Sequence, residues 1–146
     1  IEMARELGER IAARGWILLN GGRNAGVMAA SARGAAEAGG MTIGILPGEE
    51  AADAAPHIQV PIPTGMGSAR NLINVLAAQV VIACPGGPGT ISEVALALKY
   101  NRPVICLGWE PGSLFQQYTA TGRLQFAATP EDAIRLAVRE FAALSP

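Results

Sequence analysis

The chain has 146 residues and a mass of 15.0 kDa, room for one domain of ordinary size and too little for two. Half of the residues are hydrophobic and the mean hydropathy is +0.29, yet no apolar run approaches the ~20 residues of a membrane span. Eleven basic residues against twelve acidic ones leave a formal net charge of -1, so no global field draws the chain to nucleic acid or an anionic membrane, and neither is expected as a partner. Cys84 and Cys106 are too few for a disulfide scaffold and lack metal-ligand spacing, and the single histidine, His57, excludes a histidine-rich centre. No metal site and a reducing, cytoplasmic compartment are the expectations. Because the first residue is Ile1 rather than Met, the chain reads as the interior of a longer gene product.

Residues 1–14 place Ile1, Ala4, Leu7 or Gly8, and Ile11 at helical spacing, with Glu2, Arg5, Glu6, Glu9 and Arg10 mostly opposite. Gly15 ends that helix. The apolar run 16–19 predicts a strand buried on both faces and stops at Asn20-Gly21-Gly22. Small residues over 26–38 suit a helix packed closely on a sheet, ended by Gly39-Gly40. Residues 41–46 form the next strand, 49–57 a polar, alanine-rich loop, and 58–62, interrupted by Pro61, an edge-type strand. After the loop Gly65-Met66-Gly67, Ser68 can cap a helix over 69–79. Val80 to Cys84 is the most strand-like segment, and it runs into Pro85-Gly86-Gly87-Pro88-Gly89. A helix over 90–101 and a buried strand over 103–107 follow. Thr129-Pro130-Glu131-Asp132 opens a final helix with a cap, an N1 proline and early acids.

Strands alternating with helices predict an α/β fold: a doubly wound, Rossmann-like parallel sheet with helices on both faces, a three-layer α/β/α arrangement. Ligands in such folds sit beyond the carboxyl ends of the strands, where the three glycine-rich loops after Leu19, Ile62 and Cys84 are expected. The loop at 85–89 can bring backbone close to a ligand and aim the first free N–H groups of a helix at a phosphate. The alternative is that Thr90 is an N-cap with Glu93 as its capping-box partner, which needs no ligand. Gly21-Gly22-Arg23-Asn24-Ala25-Gly26 is a second strand-to-helix glycine loop, without the dinucleotide spacing that would predict NAD. The only lysine, Lys99, stands within a helix, so neither a P-loop nor a pyridoxal phosphate enzyme is expected. Arg70 falls in the first turn of its helix, where the dipole disfavours a cation, and a guanidinium there can grip a phosphate or carboxylate. Cys84 and Cys106 read as structural thiols. Trp109 and Phe115 to Tyr118 either cover a planar ligand or pack as an ordinary cluster.

Gly21-Gly22 with Gly26-Val27-Met28, then Arg70-Asn71, then Pro85-Gly86-Gly87-x-Gly89-Thr90-x-x-Glu93, in this order, resemble the LOG-like superfamily, often called lysine decarboxylase-like, over about residues 4–107. Two branches of it bear on function. In its phosphoribohydrolases, which release a free cytokinin base from a nucleoside 5'-monophosphate, an arginine and the motif's last glutamate are catalytic, and by motif these fall on Arg70 and Glu93. Such hydrolases usually carry two adjacent acids there, and the first is Ser92 here. In the molybdenum cofactor carrier proteins the ligand is a pterin-dithiolene, held and protected until an apo-enzyme takes it. Residues 69–76 and 87–99 are more similar to this branch. The resemblance therefore implies binding, storage and protection of the molybdenum cofactor for apo-molybdoenzymes such as nitrate reductase, with the hydrolase as the alternative. It implies ligand contacts from Gly21, Gly22, Arg23, Asn24, Gly26, Gly67, Ser68, Arg70, Asn71, Gly86, Gly87, Gly89, Thr90 and Glu93. A cytoplasmic homo-oligomer, dimer or tetramer, and a further N-terminal strand preceding Ile1 are also implied.

Overall fold

The computed structural model describes residues 1–144, with the element order α1 (Glu2–Ala13), β1 (Leu18–Asn20), α2 (Gly26–Glu37), β2 (Thr42–Leu46), β3 (Val60–Pro63), α3 (Arg70–Ala77), β4 (Val81–Ala83), α4 (Pro88–Lys99), β5 (Val104–Leu107), α5 (Gln116–Ala120), β6 (Leu124–Ala127) and α6 (Pro130–Leu144). The chain divides into two compact units, Ile1–Asn74 and the part from Val75 onward. Each carries a three-stranded parallel sheet, β1-β2-β3 in the first and β4-β5-β6 in the second. Parallel strands alternating with helices give the α/β, Rossmann-like class that the sequence predicts.

In the first unit Leu18 pairs with Thr42, and β2 continues the register to β3 with Ile43 opposite Val60 and Leu46 opposite Pro63. β3 is an edge strand, which accommodates Pro61 and Pro63 without loss of a ladder donor and leaves Val60 and Ile62 exposed. Thr42 is fully buried; its hydroxyl donates to the His57 carbonyl at 2.6 Å and accepts from the Gln59 amide at 2.9 Å, tying the segment before β3 onto β2. Helix α1 buries Ala4, Leu7, Gly8 and Ile11 of the stripe read from its spacing against α2, which buries Ala30, Ser31, Ala32, Gly34 and Ala35, whereas Ile1, read as part of that stripe, precedes the helix and is exposed. Two corrections arise here. The first strand begins at Leu18 rather than Trp16, and Ile17 is 56% exposed, because pairing starts only where Leu18 meets Thr42. Ser68 caps nothing: it lies inside a 3-10 turn, Gly67–Ala69, and α3 starts two residues later at Arg70.

Arg5 and Arg33 converge on Glu37, at 2.8 Å and 2.7 Å, which links α1 to the last residue of α2. The hydrogen bonds from Arg33 and then Arg5 hold the Glu37 carboxyl at about 2, below its ordinary 4.5. A carboxyl lowered on folding contributes stability that is fully present above 4.5 and is lost as pH falls towards 2. Thermal melts should therefore show wild type more stable than Glu37→Gln above pH 4.5, with the gap closing on acidification towards pH 2. A gap independent of pH would mean that the carboxylate charge is irrelevant to the packing of α1 on α2.

In the second unit β5 is buried along its whole length, with Val104, Ile105, Cys106 and Leu107 each 0% exposed. It sits between β4 and β6, with Val81 opposite Val104 and Val104 opposite Leu124. Helix α4 packs on β4 and β5, and α6 on β5 and β6. The start of α6 is as the sequence predicts, with the Asp132 amide bonded to the Thr129 hydroxyl at 3.2 Å. Strand β6 is an addition: Leu-Gln-Phe-Ala is too short and mixed to stand out, and its partner β5 makes it a strand. No helix among the described residues is long and apolar enough to cross a membrane.

Candidate functional site

In the first unit the candidate residues gather at the carboxyl ends of β1 and β2. Asn20, the last residue of β1, accepts a hydrogen bond from the Gly22 amide at 2.8 Å through Oδ1. Its Nδ2 donates to the Met28 carbonyl at 3.0 Å and the Ser31 hydroxyl at 3.1 Å. One side chain thus shapes the Gly21-Gly22 turn and fastens it to α2. Asn20 was not among the residues singled out from the sequence; its signal is an amide-bearing residue directly before two glycines, a local turn former. Gly22 is required by its surroundings, and Gly21 lies close against two side chains. A Cβ on Gly21 would stand 2.8 Å from an Arg70 guanidinium nitrogen and 2.7 Å from Met28 Sδ, and Gly22 combines a φ of +73° with backbone of Gly44 at 3.0 Å.

Arg70 stands in the first turn of its helix as the sequence predicts, though α3 starts at Arg70 itself rather than at Ala69, and it is half-buried. Its Nε donates to the Ile45 carbonyl at 2.8 Å, which turns the guanidinium back over the ends of β1 and β2 and seats it on Gly21. The loop before α3 is fastened in the same place: Thr64 bonds the Leu46 carbonyl, Gly65 that of Gly48, and Gly67 that of Pro47. Two of the three glycine-rich loops therefore meet in this unit. Gly67 has a φ of +56° and its N–H is spent on Pro47, so its place is to turn the loop. Asn71 and Asn74 are buried on the same helix, and Asn74 Oδ1 has no hydrogen-bond partner among the described residues, a second position that the sequence reading passed over.

Beside Arg70's anchor lies a cavity of about 280 Å³ lined by residues that include Arg23, Asn24, Leu46, Pro47, Gly48 and Asp53. Arg23, Asn24 and Asp53 are exposed in its lining, whereas Gly26 and Ser68, also exposed, stand outside it. The wall carrying Asp53 belongs to the loop read only as polar linker; it is held by the Ala55 amide on the Gly22 carbonyl at 2.8 Å and by a bridge between Arg23 and Ala54.

The second unit presents the loop between β4 and α4. Helix α4 begins at Pro88, with Gly87 as its extended N-cap and the Ile91 amide closing the first helical turn on the Gly87 carbonyl. Thr90 is thus the third helical residue rather than the cap, which overturns the capping-box alternative for Thr90 and Glu93. No side chain caps this end; Pro88 has no N–H and the Thr90 amide is spent on the Gly87 carbonyl at 3.1 Å, which leaves the Gly89 N–H as the donor of this turn that could face an anion. Thr90 Oγ1 fills the space next to Gly86, where a Cβ would collide with it. Gly86, Gly87 and Gly89 are exposed, and Thr90 and Glu93 are half-buried.

The remaining candidates behave structurally. Cys106 is fully buried and its thiol is pushed up to about 11, by burial first and by Glu110 second; burial also raises the Cys84 thiol. Neither is a ready nucleophile. The Trp109 indole N–H donates to the Ala83 carbonyl at 2.7 Å, tying the ring to the end of β4 just before the glycine loop. Lys99 is exposed at the end of α4. No three potential metal ligands cluster among the described residues.

The molybdenum cofactor binding protein of the phototrophic bacterium Rippkaea orientalis is 45% identical, with a TM-score of 0.88 over 94% of this chain and 85% of that one. The molybdenum cofactor carrier protein of Chlamydomonas reinhardtii is 46% identical, with a TM-score of 0.88 over 96% of this chain and 86% of its own. A cytokinin riboside 5'-monophosphate phosphoribohydrolase of Mycobacterium tuberculosis is 30% identical over 92% of this chain and 83% of that protein. The sequence profile of the SLOG cluster4 family matches residues 1–134, and with relatives this similar over nearly its whole length the chain belongs to the SLOG cluster4 family.

Proposed function

We propose that this chain binds the molybdenum cofactor, stores it and protects it for transfer to an apo-molybdoenzyme such as nitrate reductase. The observation that carries the reading is the similarity to the two molybdenum cofactor proteins, at 45% and 46% identity, against 30% for the hydrolase. The chemistry of the residues supports it. The ligand is a flat ring system with a terminal phosphate, and the chain offers a fixed guanidinium at Arg70 and an uncapped helix start at Gly87 to Thr90. Around these, Gly21, Gly22, Arg23, Asn24 and Asn71 in the first unit, and Gly86, Gly89 and Glu93 in the second, are the proposed ligand contacts, with Gly26, Gly67 and Ser68 shaping the loops. The proposed setting is the cytoplasm, and the proposed assembly a homodimer or homotetramer.

The test is to mix the protein with freshly released molybdenum cofactor, gel-filter it, and measure pterin fluorescence after oxidation in the protein peak. Stoichiometric pterin is expected; a peak without pterin sinks the carrier reading. The hydrolase reading is separated by Glu93→Gln. A hydrolase using Glu93 should lose turnover of a nucleoside 5'-monophosphate by roughly a thousandfold, whereas a carrier shows no such turnover in wild type or variant.

A further inference from the structure

The cavity of about 280 Å³ in the first unit is charged in an unusual way for a polyanionic ligand. Arg23 in its lining suits it, but Asp53 in the same lining does not, and neither side chain has an ion pair or a side-chain hydrogen bond among the described residues. Asp53 is exposed, and it is the backbone of its loop that is held in place. The Asp53 amide bonds the Glu50 carbonyl, Ala54 that of Ala51, and Ala55 that of Gly22, while Ala54 bridges to Arg23 across the cavity's rim. The neighbouring chain segments are those that seat Arg70: Leu46 follows the Ile45 carbonyl that anchors it, and Arg23 follows the Gly21-Gly22 turn on which it rests.

An unpaired carboxylate repels a phosphate and a dithiolene, so it favours the ligand only where the ligand presents donors. The pterin ring has one such edge, an exocyclic amino group beside a ring N–H, spaced to meet the two oxygens of a carboxylate. The volume is near the ~300 Å³ lower bound of small-molecule pockets, fitting a bicyclic ring rather than the whole cofactor. We infer that Asp53 is a specificity-determining residue that accepts both hydrogen bonds of the pterin's aminopyrimidinone edge, with the ring lodged in this cavity, which Arg23 also lines. This rests on the carrier reading above.

The experiment compares wild type, Asp53→Asn and Glu50→Gln, all loaded with freshly released molybdenum cofactor and gel-filtered across a series of protein concentrations. Glu50 is exposed on the same loop outside the cavity lining, so it reports the effect of charge alone. Asp53→Asn should weaken retention tenfold or more, because an amide can accept from one donor but opposes the other. Glu50→Gln should leave retention unchanged or slightly tighter. A merely electrostatic Asp53 predicts the opposite sign, tighter binding once a negative charge near the polyanion is removed. A second readout uses displacement of the bound cofactor by pterin and by lumazine, which carries an oxo group in place of the amino group. Wild type should favour pterin, and Asp53→Asn, whose amide matches the dioxo edge, should favour lumazine. Retention by Asp53→Asn within twofold of wild type, or tighter, overturns the inference and leaves the carrier reading intact. Wild type that retains no cofactor overturns the carrier reading, and the assignment of Asp53 with it.

Discussion

Replacing Arg70 with alanine is expected to lower retention of the molybdenum cofactor about a hundredfold, equivalent to about 2.7 kcal/mol, while leaving the chain folded. The reason lies in how the guanidinium is held. Its Nε is occupied by the Ile45 carbonyl and one terminal nitrogen lies against Gly21, so the planar group is oriented before any ligand arrives. A cation at the start of α3 opposes the helix dipole, so part of the stability lost with the Ile45 bond, about 1 kcal/mol, is recovered when the charge is removed. Affinity should therefore fall far more than the melting temperature. Arg70→Lys restores the charge without the planar two-pronged donor and should recover less than half of the lost binding energy. If Arg70→Ala retains cofactor within threefold of wild type, the phosphate is not held at Arg70.

Gly8→Ala is the substitution with the largest expected effect on stability. An added Cβ at Gly8 would fall on the carbonyl oxygen of Ser31, and reciprocally one at Gly34 would fall on that of Arg5. Both obstacles are backbone, which no rotamer change can move, so α1 and α2 must separate and loosen the buried Ala4, Leu7, Ala32 and Ala35. We expect a net destabilisation of about 3 kcal/mol in urea or thermal unfolding, even though alanine is by itself the better helix former by about 1 kcal/mol. The double variant Gly8→Ala with Gly34→Ala should cost less than the sum, because helices already pushed apart admit the second methyl. An unfolding midpoint equal to wild type would show that the helices have room there.

Some of this was legible in the chain alone because it is local. The stripe Ala4, Leu7 and Ile11 follows the helical period, the prolines of β3 mark an edge, and Thr129 with Pro130 marks a helix start. Arg70 announced itself by standing where a helix dipole repels it. The boundaries near function were less legible: glycine and proline at 86–89 admit several helix starts, and only the Ile91 amide on the Gly87 carbonyl shows that Thr90 is not a cap.

By itself the sequence determined the alternation of strands and helices, the glycine-rich turns after the strands, and an arginine in the first turn of a helix among them, since each depends on neighbours within a few residues. Only the tertiary structure decided that Arg70 is seated on Gly21 from 49 positions away, that Leu124–Ala127 is a strand because β5 lies beside it, and that a polar loop turns Asp53 into a cavity wall. Those features arise from hydrogen bonds and close contacts between segments distant in the chain, and no local pattern encodes them.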